Sequence, residues 1–136
     1  MKFDWIEYNA LAKEIIKIND TCLIKPEASW RCAISRAYYS AFCEARKYLD
    51  KFEGIQIRQA ERVSVHQRVI DEFINESGIK QGIGKNLKSL LIERKKVDYD
   101  SDYFNLNLKK AELCIKQADF VIADLRKLES SQSLKI

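Results

Sequence analysis

The hydrophobic pattern of the chain is that of α-helices, and its clearest example is the stretch from Trp30 to Leu49. This stretch contains no Gly or Pro, and its apolar residues recur every three or four positions, which matches one face of an α-helix. We expect such a helix to have neighbours on both sides, because its opposite side carries a second, narrower line of residues. It is then either central in its domain or shared with a partner chain. The narrower line consists of Cys32, Arg36, Tyr39 and Cys43.

Two helices are predicted in the first part of the chain. A D-x-x-E capping box at Asp4 begins the first helix, which is expected to run to about Asn19. Pro26 fits the first turn of the second and longest helix. That helix is expected to run to about Phe52 and to stop before Gly54.

Three further helices are predicted after an ambiguous segment at 54–63. A second capping box at Ser64 begins the third helix, and Gly78 is a predicted left-handed C-cap. A loop through Gly82 and Gly84 is expected to open the fourth helix. The fifth is expected to run from about Phe104 to Leu128. Its predicted core positions are Phe104, Leu108, Ala111, Ile115, Ala118, Ile122 and Leu125.

These elements predict an all-α fold, an antiparallel helical bundle of about five helices. The 136 residues suffice for a single domain with a real core, which we place at about 4–128, followed by a frayed tail at 129–136. Four Gly and one Pro argue against an all-β fold, which needs many turn residues. The stripe of the last helix fits a bundle core and a dimer seam equally well.

Composition places the chain among folded proteins of a reducing compartment. Charged residues make up 32% and hydrophobic residues 46%, which is ordinary for such proteins. No apolar run is long enough to span a bilayer, and the N-terminus has no signal-peptide pattern, so we expect a cytoplasmic protein with no membrane contact. We interpret the cysteines as small buried hydrophobes. They are Cys22, Cys32, Cys43 and Cys114.

The basic residues concentrate in one segment. Between Lys80 and Lys96 the sequence has six basic residues and the single acid Glu93. Such a strip is either a solvated helix face or a surface that meets a nucleic-acid backbone.

Two polar spots carry candidate chemistry. His66, the single histidine, falls on the apolar side of the third helix. It is either a core residue with a satisfied hydrogen bond or a proton-transfer group in a cleft. The second spot is the segment from Arg94 to Tyr103, where Arg94 and Asp98 are spaced to pair on a helix. With one His and no clustered thiolates, we expect no metal and no cofactor.

We expect the polar groups to meet in one site. Packing of the apolar stripes should bring Arg94, Asp98, Tyr99, His66 and Arg36 to a shared rim. In this hypothesis Arg36 pairs with Asp98, because burying an unpaired Arg is expensive, and Arg94 is left to meet an anion. The flanking members of this polar site are Tyr39, Lys95 and Lys96.

Three segments together resemble HEPN-domain proteins, and specifically their small prokaryotic branch. These segments are S-R-A-Y-Y-S-A-F in the second helix, V-H-Q-R-V-I-D-E-F in the third, and R-x-x-x-D-Y before the last. The resemblance covers roughly residues 5 to 128. It implies an antiparallel helical bundle, usually a homodimer, and a link to RNA. Many such proteins are metal-independent ribonucleases of toxin–antitoxin or phage-defence systems, and others are non-catalytic binding domains.

The correspondence to the nuclease members is partial. Arg94 matches the arginine of their R-x4–6-H signature, but the positions of the histidine hold Tyr99, Asp100 and Ser101. Some members are modified on a tyrosine two residues beyond that histidine by a partner nucleotidyltransferase. That offset is also unfilled here, and Tyr99 and Tyr103 are the neighbouring candidates.

Three functional hypotheses follow. In the first, the chain is an RNA-targeting toxin or defence protein, where Arg94 holds phosphate and His66 or Tyr99 transfers a proton. In the second, it is a non-catalytic module that binds a nucleotide or a minimal nucleotidyltransferase. In the third, it is a helical dimerisation domain. The first two agree with the resemblance, and a homodimer is expected in all three.

Overall fold

A computed structural model describes residues 2–17, 25–58 and 63–133, and in these ranges the chain is helical with no strand. This confirms the predicted all-α bundle of five helices. No helix in the described ranges is long and apolar enough to cross a membrane. The helices are α1 (Ile6–Ile15), α2 (Pro26–Glu53), α3 (Val65–Ile74), α4 (Ile79–Tyr99) and α5 (Leu108–Ser133).

The second helix is central, as one of the two interpretations of its double pattern predicted. It packs against each of the other four helices. Four of its alanines are fully buried, which lets those neighbours come close: Ala33, Ala37, Ala41 and Ala45. On the narrower line, the neighbour is α1, because the guanidinium carbon of Arg36 lies 4.9 Å from the ring centroid of Tyr8. Because α1 already contacts the narrower line, this line does not require a partner chain. The homodimer stays a prediction.

The bounds of α2 follow from its terminal residues. Pro26 occupies the first turn, after Lys25 in an extended conformation. At the other end, Gly54 adopts a left-handed conformation with φ 67°, which is open to glycine without steric cost. The Ile55 amide then donates to the Leu49 carbonyl at 2.9 Å. The helix ends one residue beyond the predicted position.

The first helix begins later than predicted, because the expected capping box does not form. The Asp4 carboxylate accepts a hydrogen bond from the Ile6 amide at 3.1 Å instead of from the amide of Glu7. This local turn delays the helix to Ile6. Its last residue is Ile15, and the predicted end at Asn19 lies outside the described residues.

The predicted loop through Gly82 and Gly84 is wrong, because both residues lie inside α4. A Cβ atom on Gly84 would lie 2.6 Å from the backbone nitrogen of Ile74 in α3, so glycine is needed for close packing of the two helices. Gly78 has a positive φ of 64° but precedes α4 instead of capping α3, whose C-cap is Asn75. A glycine-rich sequence here serves helix packing as well as chain reversal.

The last helix begins at Leu108, four residues after the predicted start. The Asn107 side-chain oxygen accepts a hydrogen bond from the Lys110 amide at 2.8 Å and caps the helix there. Phe104 and Leu108 were predicted core residues, but they are 91% and 42% exposed. The rest of the stripe is buried or half-buried. The helix also continues through most of the predicted frayed tail to Ser133, and 134–136 lie outside the described residues.

The contacts between α2 and α4 show that these helices are antiparallel. Lys80, at the start of α4, pairs with Glu53 at the end of α2. At the other end, Arg31 donates to the carbonyl groups of Val97 and Asp100 at 2.9 and 2.8 Å. The last turns of α4 therefore lie beside the early turns of α2, which is where the candidate polar residues meet.

Only one cysteine is confirmed as a buried hydrophobe. Cys114 is buried, whereas Cys43 is half-buried and Cys32 is exposed. Cys32 differs from the prediction because it lies on the side of α2 that turns away from the broad apolar stripe. Cys22 lies outside the described residues.

Candidate ligand-binding cleft

A histidine and a tyrosine connect α3 to α2 at the centre of the site. Ser64 caps α3 by accepting from the Gln67 amide at 3.1 Å, which fixes the start of the helix and the position of His66. The Nδ1 atom of His66 lies 2.7 Å from the Tyr38 hydroxyl oxygen. The imidazole also stacks on Phe42, with ring centroids 4.3 Å apart. His66 is half-buried and thus combines both predicted situations, a satisfied hydrogen bond and access to a cleft.

The protonation states of this pair follow from burial and nearby charge. Burial raises the pKa of Tyr38, so the phenol stays protonated. Burial, together with the positive charges of Arg94, Lys95 and Arg46, lowers the pKa of His66, so the imidazole is neutral at pH 7. In the described part of the chain the Tyr38 hydroxyl has no other partner. We therefore assign Tyr38 as the donor to Nδ1, which leaves the imidazole proton on Nε2.

Arg94 lies behind this pair in an enclosed position, with 8% of its side chain exposed. Its guanidinium carbon lies 5.6, 5.4 and 5.8 Å from the ring centroids of Tyr38, Tyr39 and Tyr99. The rings stabilise the cation in place of water. Among the described residues its ion partner is Asp98, at 3.6 Å, and its buried Nε has no hydrogen-bond partner. Arg94 is thus a fixed positive charge whose donors are little used.

The structure contradicts the predicted pairing of Asp98 with Arg36. Asp98 pairs with Arg94 one helical turn away, and its Oδ2 atom accepts from the Ser35 hydroxyl at 3.3 Å. An i, i+4 pair within α4 needs no ordering of a second helix, so it forms wherever the side chains face the same side.

Arg36 points to α1 instead, towards open space. Its guanidinium carbon lies 4.9 Å from the Tyr8 ring centroid and 5.8 Å from that of Tyr39. The side chain is half-buried, and no carboxylate pairs with it among the described residues. The environments expected for the two arginines are therefore reversed: Arg94 is enclosed and paired with a carboxylate, whereas Arg36 is accessible.

A cleft of about 570 Å³ opens between α1, α2 and the start of α3. None of the described residues that line it is acidic, while Arg36, Arg46 and His66 provide cationic or N–H donor groups. Aromatic rings form much of the remaining wall. Such a cleft suits a ligand with both negative charge and planar rings. The lining residues are Trp5, Tyr8, Arg36, Tyr39, Phe42, Cys43, Arg46, Ser64, Val65 and His66.

Two lining residues have restricted chemistry. Arg46 donates a hydrogen bond to the Ile57 carbonyl at 2.7 Å, which fixes its guanidinium at one end of the cleft. Burial raises the pKa of the Cys43 thiol to about 11, so the thiolate is scarce at neutral pH. Cys43 is therefore part of the wall and a poor nucleophile.

The other predicted site residues lie at the edge of this arrangement. Tyr99 is 78% exposed at the end of α4 and lines a separate hollow of about 370 Å³ that also contains Asp98 and Asp100. Lys95 is exposed. Lys96 is turned towards Glu93, with an ion pair of 3.8 Å. The structure thus groups Arg94, Tyr39, His66 and Arg36 around the cleft and leaves Tyr99 and Lys96 outside it.

Sequence reasoning missed Tyr38 and Arg46 as site residues. Tyr38 was part of the broad apolar stripe, and no pattern marked its hydroxyl as the partner of a histidine. Arg46 had a usable signal, since continuing the narrower line of Arg36 and Cys43 by three positions reaches it. Trp5 was not predicted as a site residue either; it is half-buried and forms part of the cleft wall.

Among the described residues, no group of three or more His, Cys, Asp or Glu is placed to hold a metal ion. The chain matches no protein-family model, no curated protein and no solved structure. The resemblance to HEPN-domain proteins therefore stays a prediction, and the functional argument depends on the cleft itself.

Proposed function

We propose that the chain is a HEPN-like protein that binds single-stranded RNA in the cleft, as a component of a toxin or phage-defence system. The observation that carries the proposal is the wall of the cleft, which combines two arginines and an imidazole N–H with aromatic rings and, among the described residues, has no acid. Proteins that bind single-stranded nucleic acids use this combination, because cations contact the backbone and rings stack on bases. The toxin or defence context comes from the resemblance.

In this proposal the groups have distinct roles. Arg36 contacts phosphate directly, because its planar fork is accessible and matches phosphate oxygens. The Nε2–H of His66 donates to a phosphate or ribose oxygen. Tyr39 and Trp5 offer ring faces to bases. Arg94, enclosed behind Tyr39, adds positive potential without touching the ligand.

Binding is better supported than cleavage. A general base needs a free nitrogen lone pair at the ligand, whereas Nε2 of His66 carries a proton in the assigned state. The sequence has no histidine at 99, 100 or 101 to replace it. A metal-independent ribonuclease activity is therefore the weaker form of the proposal, in which the neutral His66 donates a hydrogen bond to the phosphate and transfers no proton.

A second candidate function is that of a module that works with a minimal nucleotidyltransferase. The observation that favours it is the exposure of Tyr99, whose phenol is accessible, whereas Tyr103 is buried and hydrogen-bonded to Glu93. Of the two tyrosines that follow Arg94, only Tyr99 is presented to a partner enzyme. In either role, the resemblance adds a homodimer to the proposal.

The test is fluorescence anisotropy of a labelled single-stranded RNA at fixed salt. Arg36→Ala is expected to lower affinity at least tenfold. Lys127→Ala, which removes the same charge from a 68% exposed position on α5, is the control and is expected to change it less than twofold. Absence of binding by the unmodified protein, or equal affinity of Arg36→Ala, would overturn the proposal. Gel analysis of the same RNA, with and without EDTA, separates binding from cleavage.

A further inference from the structure

The exposed face of α4 carries a line of basic residues without acids. Lys85, Lys88, Ile92, Lys95 and Tyr99 follow the spacing i, i+3, i+7, i+10 and i+14, which places them on one side of the helix. All five are exposed. We call this line the α4 lysine stripe. The acidic residues of α4 lie on other sides of the helix.

The lysines of the stripe are available to a ligand. Within the described part of the chain, Lys85, Lys88 and Lys95 form no ion pair, in contrast to Lys80, which pairs with Glu53, and Lys96. Alternating charges of both signs are typical of a solvent-exposed helix face that is stabilised by salt bridges. Three unpaired lysines along about 15 Å of helix instead form a track of one sign.

One lysine of the stripe, Lys95, lies next to a residue that adjoins the cleft wall. Lys95 follows Arg94, whose guanidinium lies 5.4 Å from the Tyr39 ring that lines the cleft. Its charge also acts on His66, because Lys95 is among the cations that lower the pKa of that imidazole. From Lys95 the stripe runs along α4 towards Lys85, away from the cleft.

We propose that the α4 lysine stripe continues the RNA path, so that the backbone of a strand leaving the cleft is contacted by Lys95, Lys88 and Lys85 in turn. This inference depends on the proposed function, because the cleft supplies the first contacts. Lysine is a point charge on a flexible stem, so the stripe adds affinity and salt dependence without base specificity. Charge complementarity favours a polyanion here over a second copy of this basic chain.

The experiment compares two lengths of labelled single-stranded RNA, a tetranucleotide that can place one or two nucleotides in the cleft and a dodecanucleotide that can also extend along the stripe. The double variant Lys85→Ala and Lys88→Ala is expected to bind the tetranucleotide within twofold of the unmodified protein. The triple variant adds Lys95→Ala, which also removes the charge beside the cleft. It should bind the dodecanucleotide at least tenfold more weakly. The slope of log affinity against log salt should fall in magnitude by about 2 for the longer RNA, since each lost phosphate contact contributes about 0.7.

A matched control removes three exposed lysines from α5 instead, through the substitutions Lys109→Ala, Lys116→Ala and Lys127→Ala. Circular dichroism confirms that both variants are folded. Equal losses in the two triple variants, or an unchanged salt slope, would overturn the stripe as a path. If Arg36→Ala abolishes binding of both RNAs while the stripe variant binds normally, the stripe fails and the cleft stands. If the unmodified protein binds neither RNA, both proposals fail.

Discussion

The Tyr38 hydroxyl and the His66 imidazole form a 2.7 Å hydrogen bond between the two helices that enclose the cleft. Tyr38 is fully buried, whereas His66 lies at the cleft wall. The bond therefore occupies Nδ1 and leaves Nε2 as the nitrogen that is free to form a hydrogen bond in the cleft. A buried residue thus determines which hydrogen-bonding group the cleft presents.

Removal of the Tyr38 hydroxyl is expected to change the state of His66. In the unmodified protein, nitrogen NMR should show an unprotonated Nδ1 and a protonated Nε2. In Tyr38→Phe the hydrogen bond to Nδ1 is lost, so both neutral tautomers should appear, while burial and the charges of Arg94, Lys95 and Arg46 still keep the pKa of His66 low. A protonated Nδ1 in the unmodified protein would contradict the assignment.

The lowered pKa of His66 predicts a pH dependence of stability. Because the folded protein holds this group with a pKa below the ordinary value of about 6.5, the unfolded chain binds more protons as the pH falls. The contribution of His66 to the free energy of unfolding should therefore be complete above about pH 7 and should decrease as the pH falls below that value. His66→Gln should flatten that decrease in urea titrations at several pH values. If the free energy of unfolding decreases equally in the unmodified protein and in His66→Gln, other titratable groups cause the pH dependence.

The fold was largely predictable because helical periodicity is a local property of the sequence. The core positions Leu87, Leu90 and Leu91 of α4 follow from spacing alone, and all three are buried. The errors lie where tertiary contacts decide. Gly84 looked like a loop residue because its packing partner, Ile74, belongs to another helix.

The site was predictable in part. Sequence spacing brought out Arg94, Asp98, His66 and Arg36 as polar groups beside apolar stripes, but not which of them pair. Which arginine pairs with Asp98 depends on the rotation of α2 about its axis. This rotation turns Arg36 towards α1, so Asp98 pairs with Arg94. One sequence contains no signal for this rotation. The prediction therefore treated Arg36 as the enclosed arginine and Arg94 as the accessible one, which is the reverse of the structure.

The glycines of α4 offer a matched pair of stability measurements. Gly82→Ala should stabilise the protein by up to about 1 kcal/mol, because the position is helical and a Cβ atom there meets nothing within 4 Å. Gly84→Ala should destabilise it, because its Cβ atom would lie 2.6 Å from the backbone of Ile74. Chemical denaturation measures both. Equal effects of the two substitutions would be inconsistent with the close contact of α3 and α4.

Core truncations test the placement of the hydrophobic core. Ile115→Ala and Phe42→Ala should each reduce the free energy of unfolding by roughly 2 to 5 kcal/mol, because both side chains are buried. Phe42 also stacks on His66, so its truncation should reduce RNA affinity as well, whereas Ile115→Ala should not. Losses below about 1 kcal/mol in urea unfolding would mean that the core lies elsewhere.

Substitution of Arg94 and of Arg36 by alanine should rank in one order for stability and in the opposite order for RNA affinity. Arg94→Ala should destabilise the protein by roughly 2 to 3 kcal/mol, less than a fully buried pair costs, because Asp98 keeps 29% of its side chain exposed. Arg36→Ala should cost less than about 1 kcal/mol, since it loses a partly exposed contact with aromatic rings. For RNA affinity the proposed function predicts the reverse order, because of these two arginines only Arg36 lines the cleft.

Urea unfolding and RNA anisotropy on the same two variants measure this reversal. Arg94→Met serves as a further variant, because it keeps most of the volume between the tyrosine rings and removes the charge. It should recover much of the stability lost in Arg94→Ala, and its RNA affinity should fall by only a few-fold, through the loss of positive potential behind Tyr39. If instead Arg94→Met is stable but loses RNA binding as completely as Arg36→Ala, Arg94 contacts the ligand itself. The cleft would then have to open past Tyr39 to admit the phosphate.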